Sequence, residues 1–168
     1  MKRIIPLLAV TVLLSACGLR PVYGGGGHGA VAQALGNIEV EPIEGKSGWL
    51  VRNALNDRLS TMSGNGPSYK LVVKLDDQIS GFGLRSDAAI TRERRTLRAR
   101  YRLIDGATGA QVLDDTAGSD AGIDVTSSEY ATIAAEDTAL ERLSQTIADQ
   151  IVARLAMFAA RDQRHEGQ

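Results

Sequence analysis

Residues 89–105, Ala89-Ile90-Thr91-Arg92-Glu93-Arg94-Arg95-Thr96-Leu97-Arg98-Ala99-Arg100-Tyr101-Arg102-Leu103-Ile104-Asp105, decide the fold. Their side chains alternate with period two. Leu97, Ala99, Tyr101 and Leu103 fall on one parity. Arg92, Arg94, Arg98, Arg100 and Arg102 fall on the other, with Arg95 on the apolar parity near the start. Successive residues of a strand point to opposite faces, so this is a strand with one face in a core and the other in water or against a partner. Such a clean split belongs to an antiparallel sheet covered on one side only.

The flanking segments extend the pattern. Ser68 to Asp76 alternates, with Tyr69, Leu71, Val73 and Leu75 facing one way and Lys70, Val72, Lys74 and Asp76 the other. Gln78 to Leu84 continues it, but the apolar parity moves from Ile79 to Phe82 and Leu84. That shift predicts a bulge or bend near Ser80-Gly81, followed by a turn over Gly83 to Ala88. Asp105-Gly106-Ala107-Thr108-Gly109 is a turn with Gly where φ > 0 is needed. Gln111 to Val125 returns as the next strand. It places Leu113, Ala117, Ala121, Ile123 and Val125 on one parity and Asp114, Thr116, Asp120 and Asp124 on the other.

Upstream, Asn37 to Ile43 alternates as a half-exposed strand in which Pro42 marks the end or an edge position. Trp49 to Met62 reads as a helix with Val51, Leu55, Leu59 and Met62 on one stripe, closed by Ser63-Gly64-Asn65-Gly66-Pro67. Downstream, Thr126 with Glu129 predicts a capping box. A helix of about thirty residues follows, with Ile133, Leu140, Leu143, Ile147, Ile151, Leu155 and Phe158 as its apolar stripe. The polar tail from Arg161 is expected to fray. The order is strand, helix, three strands, helix. It predicts an α+β fold: a four-stranded, mainly antiparallel sheet with both helices packed on one face. The first strand can join at either side of the sheet.

The amino terminus has another character. Lys2 and Arg3 precede eleven apolar residues, Ile4 to Leu14. That run is short of the ~20 a bilayer span needs and suits an export signal. It ends in Leu14-Ser15-Ala16-Cys17, which resembles a bacterial lipobox, with Cys17 as the lipidated first residue after cleavage. Residues 1–16 are then the signal peptide, 17–36 a Gly-rich tether, 37–162 a single domain and 163–168 a polar tail. A flexible tether of this length spans roughly 20–25 Å.

Without residues 1–16, 17 basic side chains face 20 acidic ones, which argues against a nucleic-acid binder. Cys17 is the single cysteine, so no internal disulfide is available. Catalysis has little support. His28 sits in the tether and His165 in the tail. Asp76-Asp77 and Asp114-Asp115 are adjacent on strands and point to opposite faces. No metal-ligand spacing or phosphate loop is present.

Two stretches carry a family resemblance. They are Cys17-Gly18-Leu19-Arg20-Pro21-Val22-Tyr23-Gly24 and the last helix, opening Ser128-Glu129-Tyr130-Ala131 and running through Ala135-Glu136-Asp137 to Leu155. With the element order, they resemble the LptE-type lipopolysaccharide-assembly lipoproteins in their alphaproteobacterial version. The resemblance implies a non-enzymatic lipoprotein without cofactor, anchored by acyl chains on Cys17 at the periplasmic face of the outer membrane. It implies that the chain helps assemble and plug an LptD-type β-barrel that exports lipopolysaccharide. An auxiliary lipoprotein of an ABC-type envelope lipid-transport complex is the main alternative, and a periplasmic enzyme with an unrecognised acid pair is a third.

The arginine face has several readings. Like charges stacked along a strand need neutralising. Asp114, Asp120 and Asp124 on the next strand, with Glu93 nearby, supply cross-strand partners, each pair worth under ~1 kcal/mol at a surface. An anionic ligand is the second candidate: Arg92, Arg94, Arg98, Arg100 and Arg102, widened by Lys70 and Lys74, suit the phosphates of lipopolysaccharide. Acidic residues lining a barrel partner are the third.

Overall fold

The structure is a computed structural model that describes residue 35 and residues 37–61, 68–84 and 90–166. The element order is β1 (Ile38–Val40), α1 (Gly45–Ser60), β2 (Tyr69–Leu84), β3 (Ile90–Asp105), β4 (Gln111–Asp124) and α2 (Glu129–Glu166). The four strands form one sheet in the order β1-β2-β3-β4. β1 pairs with β2 in parallel, and the other two pairings are antiparallel. The expected α+β architecture is present, and the open question of β1 is answered: it joins beside β2, reached through α1.

One face of the sheet carries the core. Tyr69, Leu71 and Val73 of β2 and Leu97, Ala99, Tyr101 and Leu103 of β3 are buried. They meet Val51, Leu55 and Leu59 of α1 and the stripe Leu140, Leu143, Ile147, Ile151 and Leu155 of α2. Phe158 packs edge-on against Tyr69, with ring centroids 6.3 Å apart. Tyr101 is 2% exposed, and burial pushes its phenol up to about 12, so it stays neutral at any physiological pH. Two ion pairs tie the helices together, Lys46–Asp137 at 2.6 Å and Arg58–Asp149 at 2.7 Å.

Several boundaries differ from the sequence reading, each for a local reason. β1 spans three residues rather than seven, because Pro42 has no N–H to donate and the chain leaves the sheet. α1 begins four residues before Trp49. Gly45 takes φ +79 at its start, and Gly48, one turn in, is pressed against the Ile43 carbonyl. Trp49 is 62% exposed and off the stripe. Met62 lies outside the described residues. The bulge expected at Ser80-Gly81 is absent: the β2–β3 register is unbroken from Tyr69↔Asp105 to Phe82↔Arg92. The register shift falls instead in the β3–β4 pair, between Leu103 and Ile104. Gly83, expected in the turn, belongs to β2 with φ +79. Of the turn glycines at 106 and 109, Gly109 alone has positive φ, at +71.

The last helix is capped by Ser128, not Thr126. Ser128 Oγ accepts from the Ala131 N–H at 3.4 Å, while Thr126 bonds to Ser128 and Thr132. Ile133, placed on the apolar stripe by sequence, is 49% exposed, and Thr132 takes the buried position. The helix runs 38 residues, through Glu166, past the point where fraying was expected. Leu35, counted in the tether, is 2% exposed and part of the core. Cys17, His28 and the rest of the tether lie outside the described residues.

Candidate functional site: the arginine face

The strand period that buries Leu97 and Tyr101 places every other residue of β3 on the uncovered face. Arg92, Arg94, Arg98, Arg100 and Arg102 line that face, flanked by β2 with Lys70, Lys74 and Asp76 and by β4 with Asp114, Asp120 and Asp124. All the predicted site residues except Cys17 are therefore brought together. Register decides how the charges are matched. Arg92 is directly opposite Asp124 and pairs with it at 3.0 Å. Arg100 reaches diagonally to Asp114 with two bonds, Nη2 at 3.0 Å and Nε at 3.2 Å. Arg98 lies over Gly118, whose missing side chain leaves room for the guanidinium, and contacts Asp120 at 3.5 Å. Asp120 also accepts from Thr96 Oγ1 at 2.8 Å. The Arg100 guanidinium holds the Asp114 carboxyl below the usual carboxylate range, and its own pKa is raised in return.

The internal pairing expected from Asp114, Asp120 and Asp124 is thus present, and it is incomplete. The three carboxylates form ion pairs with Arg92, Arg98 and Arg100, and Asp114 also feels the charge of Arg102 directly opposite it. No ion pair joins Arg94, Arg102, Lys70 or Lys74 to another described residue. Arg94 instead stacks over the Phe82 ring, 5.4 Å from its centroid. Phe82 joins the site on the open face, as its even parity, shared with Lys70, Lys74 and Asp76, requires once β2 runs on without a bulge. A shallow groove of about 590 Å³ crosses the middle of the face, lined by Lys74, Asp76, Arg98, Arg100, Thr116 and Gly118 among others. At its rim, Gln150 of α2 bonds both polar groups of Gly118, accepting from its N–H at 3.1 Å and donating to its carbonyl at 3.3 Å.

The charges on the core side are different in kind. Arg95 donates to both oxygens of Asp77, at 2.8 and 2.7 Å, and to the Glu136 carbonyl of α2 at 3.1 Å. Arg154 of α2 donates to Asp115 at 2.5 Å. The two acid pairs do split across the sheet: Asp77 and Asp115 turn to the helices, Asp76 and Asp114 to the open face. Among the described residues no group of His, Cys, Asp and Glu is placed to hold a metal. No described helix is long and apolar enough to cross a membrane.

With this geometry established, the family can be read. The family model for LptE, lipopolysaccharide-assembly, matches residues 35–155, from Leu35 in the core through most of α2. The chain belongs to the LptE family. Similarity to solved structures agrees. A candidate lipoprotein from Caulobacter crescentus CB15 is 30% identical, with a TM-score of 0.65, over 79% of this chain and 98% of the other. The rare lipoprotein B of Shewanella oneidensis shares the fold at 14% identity and a TM-score of 0.55, over 76% and 97%. A minor lipoprotein of Acinetobacter baumannii does so at 12% and 0.58, over 71% and 90%. No curated protein matches the chain. The LptE family match covers all four strands, so the arginine face lies within the family's domain.

Proposed function

We propose that this chain is an outer-membrane lipoprotein, anchored through acyl groups on Cys17 at the periplasmic face, that helps assemble and plugs an LptD-type β-barrel and engages lipopolysaccharide phosphates with its arginine face. It works by binding and takes no part in covalent chemistry. The observation that carries the reading is the LptE family match across the whole sheet-and-helix domain. The phosphate role is supported by the charge balance of the open face: its seven cations outnumber its five carboxylates, Glu39, Asp76, Asp114, Asp120 and Asp124, and among the described residues no ion pair engages Lys70, Lys74, Arg94 or Arg102. Arginine offers a planar fork that matches two phosphate oxygens at once.

Two experiments test the reading. Mild-detergent purification of the tagged protein from outer membranes, followed by mass spectrometry, should recover one large β-barrel protein in near-equal amount. Recovery of inner-membrane transporter subunits instead would overturn the barrel assignment. For the phosphate role, a Lys70→Gln, Lys74→Gln, Arg94→Gln, Arg102→Gln variant should bind purified lipopolysaccharide at least about tenfold more weakly, since each charge-assisted bond is worth roughly 1.5–3 kcal/mol. Unchanged binding would remove the clamp and leave the arginines as partners of local carboxylates or of the barrel wall. Cys17→Ala should accumulate as an uncleaved precursor in the inner membrane; normal processing would refute the lipobox.

A further inference from the structure

The free edge of β2 is a second feature of the molecule, separate from the arginine face. β1 covers only the first three residues of a sixteen-residue strand, Tyr69 to Leu71. Two bonds define which way the backbone of β2 points. The Tyr69 N–H donates to the Asn37 carbonyl at 3.0 Å, and the Leu71 carbonyl accepts from the Glu41 N–H at 3.0 Å. Odd-numbered residues of β2 therefore turn their polar groups toward β1, and even-numbered ones toward β3. After Glu41 the chain departs at Pro42. From Val73 to Ile79 the odd residues face outward with no strand beside them among the described residues. Where β1 leaves, a groove of about 520 Å³ opens between this edge and the entry to α1. It is lined by Pro42, Ile43, Glu44 and Ser47 on one side and by Val72 to Leu75 of β2 on the other.

We infer that this edge receives an extended segment of a protein partner as an added strand, continuing the line of β1, with a carboxylate set across from Lys74. An exposed strand edge is a template for another strand, with main-chain bonds giving affinity and alternate side chains giving selectivity. The chain itself shows the rule for the charged position. In the β1–β2 register Glu39 stands opposite Lys70 on the open face. Four residues on, Lys74 has Arg100 as its cross-strand neighbour in β3, and Arg100 is already held by Asp114. Like charges face each other there, and the vacant side of Lys74 is the one the added strand would occupy. Side chains of the other parity would turn toward Ile43 and Pro42, beside buried Val73. The segment that fits thus alternates apolar and acidic residues. This inference shares Lys74 with the proposed phosphate face, and its test uses neither the barrel nor lipopolysaccharide.

The test uses the purified full-length protein in detergent and a synthetic peptide, acetyl-Thr-Val-Glu-Val-Glu-Val-Thr-amide, with residue-resolved amide exchange and fluorescence anisotropy. In the free protein the amides of Val73, Leu75, Asp77 and Ile79 should exchange faster than their even-numbered neighbours. Peptide should bind saturably below about 1 mM and protect those four amides. A peptide N-methylated on the amides of one parity should lose binding, and one methylated on the other parity should keep it. Lys74→Glu should weaken the acidic peptide about fivefold, and a peptide with Lys in place of Glu should recover that loss. Absence of saturable binding, protection at other residues, or indifference to Lys74→Glu would each overturn the proposal. So would slow exchange at the four amides before peptide is added: in a monomer it would mean that the chain covers its own edge, and in a dimer that a second copy does.

Discussion

At the scale of single residues, close approach and burial set the largest consequences. A Cβ on Gly48 would stand 2.5 Å from the Ile43 carbonyl oxygen. Alanine normally improves a helix interior, but here the new methyl would meet a backbone carbonyl, which cannot swing aside as the end of a long side chain can. Gly48→Ala should therefore destabilise by about 1–3 kcal/mol in denaturant titrations. A Cβ on Gly118 meets the long, exposed side chain of Arg98, which can swing aside, so Gly118→Ala should stay within about 0.5 kcal/mol. Titration gives a second contrast. Glu136 is raised above the usual glutamate range, by burial first and then by repulsion from Glu93, and one Glu93 oxygen, Oε2, is buried with no hydrogen-bond partner. A carboxyl that holds its proton more tightly when folded weakens the fold at neutral pH. Stability is regained as pH falls through the folded pKa toward the unfolded one. Glu136→Gln should raise the melting temperature at pH 7 by about 1–3 °C, and the gain should fade below about pH 4; an equal gain at both pH values would remove this account. Neither consequence was legible in the sequence, because a spacing does not reveal that Gly48 is crowded or that Glu93 of β3 meets Glu136 of α2. The parity of Arg95 was legible. Its partner, Asp77, required the register.

At the scale of elements, the apolar period fixed existence and type, and chain chemistry fixed the ends. β3 is legible in full because arginine and aliphatic residues alternate over a long run. β2 was misread past Ile79 because its apolar residues change parity there. The strand runs straight on and simply passes beyond the helices, so Ile79 and Phe82 are both about 40% exposed, on opposite faces. No core residue enforces parity at that end. The start of α2 was misread for a different reason: Thr126 and Ser128 are both good caps, and Thr126 has the better motif. The geometry selects Ser128, whose hydroxyl accepts from Ala131. Ser128→Ala should cost about 1 kcal/mol and speed amide exchange in the first turn of α2, while Thr126→Ala should cost less. The reverse order would return the cap to Thr126. Farther along α2, Arg154 holds the Asp115 carboxyl below its usual range. That contribution is complete above the ordinary aspartate pKa and is lost as pH falls through the lowered one, so α2 should loosen from β4 only in strong acid.

At the scale of the whole molecule, the two faces of the sheet solve opposite problems. The helix-covered face pairs its two strand-facing arginines, Arg95 with Asp77 and Arg154 with Asp115. The open face does not, and its imbalance has a stability signature independent of any ligand. Asp114, Asp120 and Asp124 relieve repulsion among the arginines, so replacing all three with Asn should destabilise the protein at low salt. Lys70, Lys74, Arg94 and Arg102 add repulsion, so converting them to Gln should leave the protein at least as stable as the parent at low salt, whatever the change does to the proposed lipopolysaccharide binding. Both differences are carried by exposed charges. Both should shrink toward zero near 1 M salt, where the screening length is about 3 Å. Denaturant titrations of the two variants at 10 mM and 1 M salt read this directly. A neutralised variant that is less stable than the parent at low salt would make the four cations part of what holds the sheet together. They would then belong to the fold, and the surplus on which the phosphate role rests would disappear.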